Sequence, residues 1–176
     1  MNRKLIQHIT IAGLLIAVGI LIPLTFPRIA IEPASYTLAS HVAIFVAMFI
    51  SPGVALGVAL GTTFGFFMTA TPIIALRAAS HLIYAIPFAF YIAKANPINL
   101  KGLRLRVLSL MIAIVHALAE TTVVMLFYFG TAFPEGQGAM WVMGFIGIGT
   151  VFHSLLDFEL ANIVRRGLQR ARLLVA

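Results

Sequence analysis

An arginine and a histidine stand one helical turn apart inside an otherwise apolar run. The run extends from Ile73 to Ala93 and contains Arg77 and His81. A charged side chain deep in a hydrophobic segment is costly, so it usually has a partner and marks a functional site. The planar fork of arginine can hold a carboxylate with two hydrogen bonds. The pair therefore predicts a binding site for an anion.

Composition defines the class of protein that must position this pair. The 176 residues are 61% hydrophobic and 10% charged, with a mean hydropathy of +1.06. These values are typical of a polytopic membrane protein and leave no room for a soluble domain. There is no cysteine, which excludes disulfides and thiolate metal sites.

Six apolar runs follow one another along the chain, separated by proline, glycine and charged residues. We therefore predict an all-α bundle of six transmembrane helices in a single integral membrane domain, residues 1–176. The predicted helices are 9–26, 38–50, 53–70, 73–93, 107–130 and 139–164. The first run is expected to be a spanning helix and not a removed signal peptide.

Positive charge is concentrated on one side of this predicted bundle. Ten of the twelve lysines and arginines fall near the two termini or in the loop 94–106, whereas Arg28 falls in an opposite loop. The positive-inside rule places the charged side in the cytoplasm. Both termini are thus predicted to be cytoplasmic, and the loops near residues 30, 71 and 134 external.

Depth along the helices indicates a partner for the pair. At about 1.5 Å per residue, Arg77 lies roughly 8 Å and His81 roughly 14 Å below the external end of their helix. Glu120 lies about 15 Å below the external end of the fifth helix. These groups form either a structural ion pair between two helices or a binding site for an anion. In the second case the apolar walls of the site could be Trp141, Tyr128 and Phe145.

Small residues and further polar groups allow more than one interpretation. Gly13 and Ala17 form a small-residue pair for packing within the bundle or for docking a separate subunit. Four glycines at a spacing of four predict close helix packing: Gly53, Gly57, Gly61 and Gly65. His153 and Asp157 could bind a metal or relay protons, but we expect an interfacial polar cluster and no metal site. We assign no role to His41, which we place near the lipid headgroups.

Several catalytic motifs are absent. The sequence has no GxxxxGK[ST] phosphate loop, no GxSxG and no HExxH. We therefore expect no enzyme, and active transport would need a separate ATPase or an ion gradient. Two other classes stay open: a small membrane enzyme using His116, His153 and Asp157, and an autonomous ion-coupled carrier.

The whole chain resembles the substrate-binding S component of an energy-coupling factor (ECF) vitamin transporter. The resemblance lies in six helices in about 180 residues, the small-residue face of helix one and the polar groups of helices four to six. Residues 40–45 (SHVAIF), 49–52 (FISP) and 61–67 (GTTFGFF) are similar to the branch that includes pantothenate carriers.

The resemblance implies partners and a site. An S component docks through helix one onto a transmembrane T subunit that joins two ABC-type ATPases, and it topples to deliver its vitamin. The positions of the family's alanine pair for docking correspond to Gly13 and Ala17, a departure from the pair that keeps both residues small. The implied vitamin site comprises Tyr36, Arg77, His81, Glu120 and Trp141. The chain itself would need no cofactor, because the partner ATPases use the ATP, and it would lie in a prokaryotic plasma membrane.

The charge of the site then selects the vitamin. Pantothenate and nicotinate carry a carboxylate that Arg77 could hold, whereas riboflavin does not. We expect pantothenate first, because its hydroxyl and amide groups would use His81 and Glu120, with nicotinate as the alternative.

Overall fold

The computed structural model describes residues 3–31, 34–129, 133 and 138–171. Five helices are long and apolar enough to cross a membrane: Arg3–Thr25 (α1), Pro52–Thr69 (α3), Pro72–Ala95 (α4), Gly102–Phe127 (α5) and the continuous helix Ala139–Arg170. The last consists of α6 (Ala139–Val142), a π-helical turn (Met143–Ile148) and α7 (Gly149–Arg170). The prediction of an all-α polytopic membrane protein is confirmed.

A small hairpin and a short helix separate α1 from α3. Strands β1 (Arg28–Ile31) and β2 (Ala34–Thr37) pair antiparallel, with Arg28 opposite Thr37. The hairpin leads through the loop 38–41 into α2, Val42–Ile50. A 3₁₀ turn, Pro97–Asn99, connects α4 to α5. The prediction of an irregular loop before the second helix missed the hairpin.

The second predicted span, 38–50, is wrong in length. Helix α2 has nine residues, so it rises about 13.5 Å, less than half of the roughly 30 Å of a bilayer core. Every residue from Ala43 to Phe49 is buried in the protein. Its sequence is apolar because other helices surround it; Phe45, for example, packs on Tyr84 and Phe158.

The predicted glycine stripe lies against α1. Successive glycines of α3 face successive residues of α1, namely Gly57 against Ala12, Gly61 against Ile16 and Gly65 against Ile20. A Cβ at Gly61 or Gly65 would overlap the facing isoleucine, which confirms the predicted close packing. Because the numbers rise together, α1 and α3 run in the same direction. The hairpin and α2 lead the chain from the end of α1 back to the start of α3.

Other predicted boundaries shift by a few residues. Helix α1 begins at Arg3 instead of residue 9, and α5 begins at Gly102 instead of 107. Lysine, arginine and glutamine are good helix formers whose long side chains can reach the interface, so the helices continue beyond the apolar runs. The predicted loop residues Pro134 and Glu135 lie outside the described residues.

Candidate functional site

Arg77 and Glu120 form a buried ion pair between α4 and α5. Nη2 of Arg77 donates to Oε2 of Glu120 at 2.9 Å, and Thr150 Oγ1 donates to the same oxygen at 3.0 Å. The two residues are only 8% and 3% exposed. Helix depth places Glu120 within reach of Arg77, and the structure shows the two side chains in contact. Each charge is balanced by its partner at a depth where an isolated charge would be costly.

Two imidazoles face the other oxygen of the same carboxylate. Nε2 of His81 lies 3.6 Å and Nε2 of His116 lies 3.4 Å from Glu120 Oε1. Both rings are buried, and neither nitrogen has a hydrogen-bond partner among the described residues. The distances exceed the usual 2.7–3.2 Å of an N–H···O hydrogen bond. Nδ1 of His116 is 2.8 Å from Ser154 Oγ, which orients that ring.

His41 lies at the centre of the cluster and not near the headgroups, so its predicted position is wrong. Its ring centroid is 4.9 Å from that of His81, 4.6 Å from that of His116 and 5.0 Å from that of His153. The reason is the shortness of α2. Because α2 covers only part of the membrane depth, its first residues are deep in the bundle, and His41 directly precedes it.

Asp157 holds the loop that carries His41. Its carboxylate accepts from the backbone N–H of Ala39 at 2.7 Å and of His41 at 2.9 Å. It also lies 3.1 Å from Nδ1 of His41 and 3.3 Å from Nε2 of His153. Ala39 has φ +69°, a left-handed conformation that is uncommon for a residue with a Cβ. The predicted interfacial position of His153 and Asp157 is wrong, because both are buried around this loop.

Tyr36 connects the hairpin to the long helix Ala139–Arg170. Its hydroxyl donates to the backbone carbonyl of Phe145 in the π-helical turn, and its ring lies 5.3 Å from that of His153. A Cβ at Gly149 would overlap the Tyr36 ring, so glycine is required for this contact.

A cleft of about 110 Å³ lies beside this cluster, between the hairpin, α3 and α4. Its polar lining includes three predicted residues, Arg77, His81 and Glu120, and three that the prediction omitted, Arg28, Ser40 and His41. A cavity of about 150 Å³ can admit a benzene ring, so the cleft is on the scale of a single-ring ligand. Two arginines on its walls suit an anion.

One curated relative matches almost the whole chain. It is the niacin transporter NiaX of Lactococcus lactis subsp. cremoris, which is 38% identical over 163 residues, covering 91% of this chain and 73% of the relative. The chain belongs to the NiaX family of transporters. No family model and no solved structure matches the chain. Membership in a transporter family excludes the membrane enzyme considered from the sequence.

Two of the predicted site residues do not line the cleft of this NiaX-family chain. Trp141 is 38% exposed, and its ring stacks on Phe145 with a centroid distance of 4.0 Å. Tyr36 packs against the ring of His153 and is not among the residues that line the cleft. The proposed wall residue Tyr128 packs on Phe133. The structure thus unites Arg77, His81 and Glu120 but places Trp141 elsewhere.

The predicted docking pair lies on a free face of α1. Gly13 and Ala17 are exposed, whereas Ala12, Ile16 and Ile20 contact α3. Among the described residues, nothing lies within 4 Å of a Cβ added at Gly13. In a NiaX-family chain this face is therefore available to lipid or to another subunit.

Proposed function

We propose that this chain is the vitamin-binding S component of an ECF importer, with niacin, in its anionic form nicotinate, as the ligand. The observation that carries the proposal is a ring-sized cleft with Arg77 on its wall in a chain related to a niacin transporter. The name of that relative favours niacin over pantothenate, the vitamin we expected first from the sequence.

The residues of the cleft suit a small aromatic acid. Arg77, held in place by Glu120, and Arg28 at the hairpin would bind the carboxylate. The imidazoles of His41 and His81 would contact the pyridine ring. Pantothenate has a long flexible chain, whereas the small volume of the cleft favours a rigid single ring.

The assembly follows from the same proposal. Gly13 and Ala17 on the free face of α1 would dock onto a transmembrane T subunit, which joins two ABC-type ATPases. Those ATPases would supply the ATP hydrolysis, and this chain would need no nucleotide site. The chain would cross the plasma membrane of a prokaryote six times, counting α2 with the hairpin as the second crossing. Both termini would be cytoplasmic.

Uptake into proteoliposomes tests the assignment. We expect labelled nicotinate to accumulate only when the chain is reconstituted with a T subunit, both ATPases and internal ATP. Unlabelled nicotinate should compete, whereas pantothenate should not. Arg77→Ala should abolish uptake, and Arg104→Ala, at an exposed position on α5, should leave it unchanged.

Two results would contradict the proposal. Uptake by the chain alone, driven by an ion gradient, would identify an autonomous carrier. Competition by pantothenate at lower concentration than nicotinate would assign the other vitamin.

A further inference from the structure

The histidine cluster has more metal-binding groups than recognition of a small acid requires. One nitrogen from each of His41, His81 and His116 and one oxygen of Glu120 lie within 4.8 Å of one another. All four residues are buried. Burying several unpaired polar groups is costly unless they bind something.

We propose that these four groups bind a divalent transition metal of the zinc class at the inner end of the cleft. Imidazole and carboxylate are the ligands that Zn²⁺ uses, in a tetrahedral arrangement with bonds of about 2.0–2.2 Å. Cu²⁺ and Ni²⁺ also accept imidazole, so they are competing ions. The site is independent of the identity of the vitamin.

Two of the six distances between the ligand atoms fit this geometry, and the other four are at most 4.8 Å. Two ligand atoms on one tetrahedral metal lie about 3.3–3.5 Å apart, given those bond lengths. Oε1 of Glu120 is 3.4 Å from Nε2 of His116 and 3.6 Å from Nε2 of His81. These separations are too long for good hydrogen bonds but suit two edges of a coordination tetrahedron.

Three of the four ligand side chains have a second polar atom, not facing the other ligands, that contacts a neighbouring residue. Asp157 holds Nδ1 of His41, and Ser154 holds Nδ1 of His116. Arg77 and Thr150 hold Oε2 of Glu120, leaving Oε1 toward the histidines. Such outer contacts fix the tautomer and orientation of metal ligands and are characteristic of metal sites.

Charge balance supports a cation here. Within the cluster, the fixed charges are the guanidinium of Arg77 and the carboxylates of Glu120 and Asp157, one positive against two negative. A divalent ion changes the net charge of the cluster from −1 to +1, so the inner end of the cleft becomes positively charged. A carboxylate ligand would then meet attraction even though Glu120 already neutralises Arg77.

Metal titration of the purified full chain tests the site. The protein is prepared with a histidine-free tag, stripped with a chelator and titrated with Zn²⁺ by calorimetry, and Co²⁺ is used to detect tetrahedral absorption bands. We expect saturable binding of about one ion per chain and a tetrahedral Co²⁺ spectrum. Absence of saturable Zn²⁺ binding by the wild-type chain would overturn the proposal, whatever the variants do.

Variants separate ligands from supporting residues. His81→Asn should abolish Zn²⁺ binding, Asp157→Asn should weaken it by about 10–100-fold, and His8→Asn on α1 should leave it unchanged. Equal Zn²⁺ affinity of His81→Asn and the wild type would overturn the assignment of ligands. Nicotinate binding without Zn²⁺ binding refutes only the metal site, and Zn²⁺ binding without nicotinate binding refutes only the proposed vitamin.

Discussion

Nη2 of Arg77 and Oε2 of Glu120 lie 2.9 Å apart, and both side chains are buried between α4 and α5. The guanidinium that we propose for the vitamin carboxylate is therefore already held by a protein carboxylate. Glu120 both balances the charge of Arg77 and fixes its position beside the cleft. In the proposed function the pair preorganises Arg77 for binding, and neither residue can be replaced alone without cost.

This pair gives a testable stability pattern. Arg77→Met or Glu120→Gln alone should lower the free energy of unfolding by about 3–5 kcal/mol, because each leaves an uncompensated buried charge. Replacing both, Arg77→Met with Glu120→Gln, should cost less than either single change. Thermal unfolding in detergent measures the order of the three. A double variant less stable than both single variants would contradict the account.

Tyr36→Phe should weaken ligand retention without unfolding the chain. The change removes only the hydroxyl that donates to the Phe145 carbonyl, a bond with a net value of about 0.5–1.5 kcal/mol. We expect nicotinate to dissociate about two- to ten-fold faster, because the hairpin loses its attachment to the π-helical turn. Stopped-flow displacement measures the rate. Tyr91→Phe, at an exposed tyrosine of α4, is the control and should match the wild type.

Gly61→Ala should destabilise the bundle by separating α1 from α3. The added methyl group would overlap Ile16, and overpacking of this kind typically costs about 1–3 kcal/mol. Ile16→Ala in the same chain should restore much of the loss by making room. Gly167→Ala is the matched control, since no described atom lies within 4 Å of its added Cβ. Helix propensity alone favours alanine over glycine, so a loss of stability in that control equal to that of Gly61→Ala would contradict the packing explanation.

Gly13→Leu should block assembly while leaving vitamin binding intact. Gly13 is exposed, and no described atom lies within 4 Å of a Cβ added there, so the substitution should leave the fold and the cleft undisturbed. Co-purification with the T subunit should be lost, and nicotinate affinity should equal that of the wild type. Ile114→Trp, on the exposed face of α5, controls for bulk and should still assemble. Normal assembly of Gly13→Leu would move the docking surface elsewhere.

The proximity of Arg77 and Glu120 could be derived from the sequence because helix geometry is regular. A rise of about 1.5 Å per residue, together with the positions of the loops, placed Glu120 level with His81 and within reach of Arg77. The glycine stripe of α3 was equally direct, since a spacing of four residues puts all four glycines on one helix face.

The loop 38–41 could not be derived in the same way. From the sequence we predict a span over the thirteen residues 38–50, although such a length is more typical of a buried helix. A span over these residues places His41 at the membrane surface and gives no reason to connect it with Asp157. Asp157 contacts Ala39 and His41, which are more than 110 positions away in the sequence. The length of the run 38–50 is the one feature of the sequence that indicates a buried helix there. The rotation of α7 that brings Asp157 to the loop depends on tertiary packing.

Calorimetric titration of the purified chain with nicotinate tests the central claim most directly, with nicotinamide as a ligand of the same shape but without the carboxylate charge. We expect saturable binding of nicotinate, at least about 100-fold weaker binding of nicotinamide, and loss of nicotinate binding in Arg77→Ala, since hydrogen bonds to a charged group contribute about 1.5–3 kcal/mol each. Equal affinity for the two ligands, or unchanged nicotinate affinity in Arg77→Ala, would contradict the account.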